Sequence, residues 1–176
     1  MMLFEETKIP GAFQIRLELK TDNRGFFART WCRHEFEGAG LDARAAQCSI
    51  SYSALKGTLR GMHYQLAPYG EAKIVRCTMG SIFDVILDLR ETSLTYKQWI
   101  GLTLTAENRK MAYIPQGCAH GFLTLEDKTE IAYQMSEFYR PEAACGVRWN
   151  DPAFGIEWPD KIQVISEQDR NFPDFR

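Results

Sequence analysis

The chain carries no excess of charge. Its 21 Lys and Arg oppose 23 Asp and Glu, a formal net charge of -2 over 176 residues. That balance excludes the basic footprint expected of nucleic-acid and anionic-membrane binders, so any anion site must be local. No run approaches the roughly 18 apolar residues of a membrane helix. The cysteines lack a framework. Cys32, Cys48, Cys77, Cys118 and Cys145 are odd in number and far apart, with no Cys-x-x-Cys pair. The start, Met1-Met2-Leu3-Phe4-Glu5-Glu6, has no basic region. Together these features predict a cytoplasmic protein with reduced thiols, each cysteine a small buried apolar residue. Repeats, low-complexity stretches and linkers are also missing. The length and a 45% hydrophobic content predict one domain, residues 1–176, that buries a core without cross-links.

Helices are scarce too. His34 to Gly38 is one candidate, and Pro141 to Ala144 a single turn. Strands fill the rest. Phe13, Ile15, Leu17 and Leu19 alternate with Gln14, Arg16 and Glu18, a period of two with one buried face. Thr21 to Gly25 is a turn leading into Phe26 to Trp31. Ile74 to Met79, a tight turn at Gly80-Ser81, and Ile82 to Leu89 follow; Asp84 and Asp88 interrupt the last run. Trp99 to Leu104 and Lys110 to Pro115 are further strands. Gly121 to Leu125 and Glu130 to Ser136 read as a hairpin across Glu126-Asp127-Lys128. Many short strands at about ten-residue spacing predict an all-β jelly roll or barrel, whose interior is a natural ligand cavity.

Histidine is rare, with three in the chain, and two sit in motifs that bear chemistry. The first is Leu59-Arg60-Gly61-Met62-His63-Tyr64-Gln65, with Lys73 ten residues after His63. Histidine titrates near neutrality, so it can take and return a proton at working pH. The second is Ile114-Pro115-Gln116-Gly117-Cys118-Ala119-His120-Gly121-Phe122. Its Pro-x-Gly-x-x-His spacing is the second half of a metal-binding cupin motif. The first half lacks its second imidazole, because Gln65 stands there, and His34 is too far upstream to replace it. His63, His120 and Glu71 would be the remaining facial triad. Tyr133 and Tyr139 are strand tyrosines, either core packing or proton donors opposite a histidine. Epimerisation needs the second arrangement: one group removes a proton from one face and another returns one to the other. In the last run, Val164 to Arg170, a carboxylate folding back onto a histidine would fix its tautomer and raise its basicity.

These motifs, in this order, resemble the dTDP-4-dehydrorhamnose 3,5-epimerase family. The resemblance runs from about Phe4 to Phe172. It includes Asp22-Asn23-Arg24-Gly25-Phe26-Phe27, the segments about His63, Lys73 and His120, Phe83 to Arg90, Arg148 to Pro152, Gly155 to Pro159 and Ile165 to Asp169. It implies a cupin-type jelly roll without metal or cofactor, a homodimer, and a nucleotide-diphosphate sugar as substrate. His63 matches the family's base and Asp169 its carboxylate partner. Lys73 matches the enolate-stabilising lysine and Tyr133 the tyrosine that protonates the opposite face. His120 and Tyr139 match residues near the sugar. Arg24 and Arg60 match diphosphate ligands, and Phe26 and Gln47 fall on other substrate contacts. The chain departs from the pattern at Gln116, Cys118 and Ser49, and its loop from Ser51 to Gly57 is one residue longer. Two other readings are a metal-dependent cupin and a binding module without catalysis. The second would have no use for an acid–base pair.

Overall fold

The computed structural model describes residues 1–175. Its strands are β1 (Met2–Glu6), β2 (Phe13–Leu17), β3 (Lys20–Asp22), β4 (Gly25–Phe27), β5 (Gln47–Ser53), β6 (Thr58–Gln65) and β7 (Lys73–Met79). After them come β8 (Ser81–Asp88), β9 (Trp99–Thr105), β10 (Met111–Ile114), β11 (Cys118–Thr124), β12 (Thr129–Met135), β13 (Ala144–Gly146) and β14 (Val164–Ile165). Two short helices are α1 (Arg33–Gly38) and α2 (Glu167–Arg170). No helix among the described residues is long and apolar enough to cross a membrane.

The strands form two facing sheets, ordered β1-β2-β10-β7-β12-β5 and β13-β6-β11-β8-β9, while β3 and β4 make a separate hairpin. From β5 to β12 the chain contributes 5-12-7-10 to one sheet and 6-11-8-9 to the other. That interleaving is a jelly roll. Between the sheets lie Val75, Cys77, Ile82, Ile86, Leu104, Ile114, Phe122 and Ile131. The outer faces are partly covered as well. On the first sheet, Ile15, Ile74, Met111 and Tyr113 pack under Phe36 of α1. On the second, Met62, Val85, Leu87 and Ala119 pack under Val147 and Phe154 from the C-terminal segment, with Trp158 beside them. Each fully buried Val, Leu, Ile, Phe or Met side chain among them contributes about 1.5–3 kcal/mol.

Coverage on both faces explains why Ile82 to Leu89 reads as a nearly continuous apolar run. Every residue of β11 is buried for the same reason. It also overturns the expected hairpin. Gly121 to Leu125 and Glu130 to Ser136 do not pair: β11 lies between β6 and β8, and β12 between β5 and β7 in the facing sheet. A strand buried on both faces takes an interior place in its sheet, so the Glu126 loop crosses between layers. The Gly80 turn (φ 77°) likewise carries the chain from β7 to β8 in the other sheet. The five cysteines are free, but only Cys77 and Cys118 are buried. Burial pushes their thiols up to about 11 and about 12. Cys48 is exposed on the edge strand β5, and Cys32 and Cys145 are half-buried.

The run-interrupting Asp88 ends β8 fully buried. Its carboxylate accepts from Arg90 Nε (2.8 Å) and Nη2 (2.8 Å), Ser93 Oγ (2.6 Å) and Thr95 Oγ1 (2.7 Å). Arg90 Nη2 also donates to the Pro10 carbonyl at 2.9 Å, tying this loop to the N-terminal segment. Burial alone would raise the Asp88 carboxyl, yet the hydrogen bonds from Arg90, Ser93 and Thr95 outweigh it and hold it far below the carboxylate range. A carboxyl depressed on folding adds stability above its unfolded pKa, near 4, and loses it as pH falls from there toward the folded value. Asp88→Asn is expected to cost about 3 kcal/mol at neutral pH, because it leaves Arg90 without its buried counter-charge. It should also flatten the loss of stability below about pH 4. Urea unfolding of both proteins across that range checks both effects.

Candidate active site

A cavity of about 610 Å³ opens between the two sheets. Its wall includes His63 and Arg60 from β6, His120 from β11, Lys73 from β7 and Tyr133 from β12. Tyr139, β14 and α2 border it. Six of the ten residues expected in the site thus share this one cavity, and Asp169 of α2 makes a seventh.

Two histidines stand side by side on one wall. His63 and His120 are direct partners in the β6–β11 register, which slips between His120 and Phe122. The slip depends on glycine. A Cβ on Gly61 would stand 2.5 Å from the Gly121 Cα and 2.9 Å from the His120 carbonyl oxygen, so no larger residue fits. This is what Gly61, between Arg60 and His63, contributes to the motif.

His63 Nε2 lies 2.7 Å from Asp169 Oδ1. Asp169 is 106 positions away in sequence and only 4% exposed. Its Oδ2 accepts the Gly61 N–H at 3.1 Å, and its own N–H donates to Ser166 Oγ, the N-cap of α2, at 3.0 Å. Burial works to raise this carboxyl. The His63 hydrogen bond and charge, with Gly61 and Ser166, override that and leave it below its ordinary value. An ionised carboxylate only accepts, so neutral His63 places its proton on Nε2 and keeps Nδ1 as the basic nitrogen. The Phe172 ring stands edge-on to the imidazole at 6.2 Å.

His120 repeats the arrangement, with Nε2 2.7 Å from Oδ1 of the fully buried Asp84. Lys73 Nζ lies 2.9 Å from Glu71 Oε1. Tyr133 is opposite Val75 in the β12–β7 register, so Lys73 is its diagonal neighbour on the inner face. Arg60 donates to Ser53 Oγ and to the Tyr52 carbonyl. Gln47 is absent from the wall; its Oε1 accepts the backbone N–H of Tyr139, which it supports from behind. Arg24 and Phe26 are also outside this wall. Both sit on the exposed β3–β4 hairpin, Arg24 paired with Asp22 and Phe26 stacked under Arg109 at 4.4 Å.

The metal triad weighed from the sequence does not assemble. Among the described residues no three His, Cys, Asp or Glu side chains are grouped to hold an ion. His63, His120 and Glu71 are turned to Asp169, Asp84 and Lys73 instead. Sequence reasoning missed Asp84 as a partner of His120. Its signal was present: a carboxylate inside an apolar strand must find a partner. It also missed Ser51, whose buried Oγ lies in the cavity wall without a hydrogen-bond partner among the described residues.

Residues 6–176 match the family model described as dTDP-4-dehydrorhamnose 3,5-epimerase. The chain belongs to this family. A dTDP-4-dehydrorhamnose 3,5-epimerase of Methanothermobacter thermautotrophicus is 44% identical over 98% of this chain and 94% of its own. The crystal structure of the Bacillus anthracis epimerase, with TDP and PPi bound, superposes with a TM-score of 0.95 at 38% identity, covering 99% of this chain and all of the other. A Legionella pneumophila epimerase in complex with dTDP-4-keto-L-rhamnose gives 0.89 at 36% identity, covering 96% and 90%. The cupin-type jelly roll of this chain is therefore that of an epimerase family.

If Asp169 fixes the imidazole, Asp169→Asn should loosen the tautomer without unfolding the protein. The expected result is loss of the Nε2–H signature of His63 in 15N NMR, with a stability cost of about 1–3 kcal/mol. An unchanged His63 spectrum would show that the carboxylate does not set the tautomer.

Proposed function

We propose that this protein is a 3,5-epimerase of a nucleotide-linked 4-keto-6-deoxyhexose, of the dTDP-4-dehydro-6-deoxyglucose type. One observation carries the reading. His63, backed by Asp169, belongs to one sheet, and Tyr133 belongs to the facing sheet across the same cavity. A sugar ring between them would meet a base on one face and a hydroxyl acid on the other.

The chemistry follows from the ketone. A C4 carbonyl acidifies the protons at C3 and C5, so neither step calls for a cofactor. His63 takes the proton, and negative charge develops on the C4 oxygen. Lys73, a preorganised cation, stabilises that oxygen more in the transition state than in the ground state. Tyr133 returns a proton from the opposite side. A histidine base supplies about 10²–10⁴-fold, and positioning and enolate stabilisation supply the rest. Arg60 pairs with the diphosphate, and bidentate arginine–phosphate contacts provide binding energy remote from the reacting carbons. His120 and Tyr139 contact the sugar.

Arg24 and Phe26 fit this account through a second copy. In this reading the protein is a cytoplasmic homodimer, each copy a single jelly-roll domain. The exposed β3–β4 hairpin of one copy brings its cation and ring to the partner's nucleotide. Sedimentation should give a dimer. Mixing inactive His63→Ala with an impaired Arg24→Ala variant should restore activity through hybrid dimers, whereas no restoration would separate the hairpin from the site.

A narrower outcome, inversion of one carbon, is favoured by one feature. Ser49, where the family often has asparagine, is the direct cross-strand neighbour of Tyr133. Two variants test the division of labour. His63→Ala should lower solvent-proton exchange into substrate by about 10²–10⁴-fold while nucleotide binding persists. Tyr133→Phe should slow net inversion more than exchange. Normal turnover by the first, or equal loss of both rates in the second, would refute the assignments.

A further inference from the structure

Beside Asp169, the cavity wall carries a second carboxylate, Glu71, that the proposed reaction leaves without a task. Glu71 lies two residues before Lys73, on the same wall. Its Oε1 is 2.9 Å from Lys73 Nζ, and the two side chains are only 10% and 14% exposed. Asp169 and Asp84 each serve a histidine; Glu71 alone of the three serves the lysine.

Lysine is a compact charge on a flexible four-carbon stem. An oxyanion-stabilising cation works only if it is already aimed when charge develops. In a cavity that admits a diphosphate, an unrestrained ammonium is drawn to the phosphates, which carry full charge in the ground state, rather than to a neutral ketone. Pairing with Glu71 commits one N–H and leaves two for the C4 oxygen. The carboxylate also opposes the enolate, but it is farther from that oxygen than the ammonium it holds. Coulomb attraction at contact therefore prevails over repulsion from beyond it.

We infer that Glu71 is the positioning residue for Lys73, holding its ammonium at the ketone end of the cavity and away from the diphosphate. This inference rests on the epimerase reading for its kinetic consequence, but not for the geometry.

The test joins two measurements on wild type, Glu71→Ala, Glu71→Gln and Glu71→Asp. In 15N-lysine NMR, with the Lys73 signal assigned by its loss in Lys73→Arg, a hydrogen-bonded and immobilised ammonium is expected in wild type. It should broaden or vanish in Glu71→Ala. In kinetics, measured where each variant is still fully folded, Glu71→Ala should lower kcat by about 10- to 100-fold with KM within about threefold. Glu71→Asp should recover part of that loss, and Glu71→Gln, which keeps an acceptor oxygen, should fall between. An unchanged Lys73 signal, an unchanged kcat, or a loss of kcat accounted for by the unfolded fraction alone would overturn the inference. The NMR arm needs no turnover. A wild type that shows the ordered ammonium but no epimerisation would contradict the functional reading and leave the Glu71–Lys73 pair intact.

Discussion

The hydrogen bond between His63 and Asp169 is the constraint on which the site depends. It joins the middle of β6 to a four-residue helix near the end of the chain. Neither partner is useful alone. Without Asp169 the imidazole has no fixed tautomer, and without His63 the carboxylate loses its main compensation for burial. The Gly61 N–H donates to the other carboxylate oxygen, so one aspartate secures both the His63 imidazole and the strand that bears it. Ser166 completes the chain of dependence by capping the helix that presents Asp169.

The jelly roll supplies what a pair of residues cannot. It sets two sheets face to face, with their mutual interior apolar at one end and lined with titratable groups at the other. The second sheet is buried on its outer side as well, by the C-terminal segment that ends in the Asp169 helix. Packing and the His63 contact therefore share one element: the segment that covers Met62 and Val85 also delivers the Asp169 carboxylate. Asp169 and Glu71 on the wall pair with His63 and Lys73, and Asp84, buried behind the wall, pairs with His120. Such pairing spares the site the cost of a buried lone charge and aims each basic group.

Much of this was legible in the sequence, because it is local. Phe13 to Leu17 alternate and form a strand; His34 to Gly38 form a helix with its start one residue earlier. The order of motifs about His63, Lys73, His120 and Asp169 carried the family, and these four residues share one cavity. What was not legible was the assignment of strands to layers. The segments after Gly121 and Glu130 look like a hairpin because nearby apolar strands usually pair, but each completes a different sheet. The same non-locality concealed the pairing of Asp84 with His120, 36 positions apart. Gln47 shows a third limit: its side chain supports Tyr139 through a backbone N–H, a role with no sequence signature.

The most direct measurement is proton NMR of dTDP-4-keto-6-deoxyglucose incubated with the wild-type protein in deuterium oxide. A base on one sheet facing an acid on the other should wash out the signals at both C3 and C5 as deuterium enters. Persistence of both signals, with the protein folded and the nucleotide sugar bound, would contradict the account.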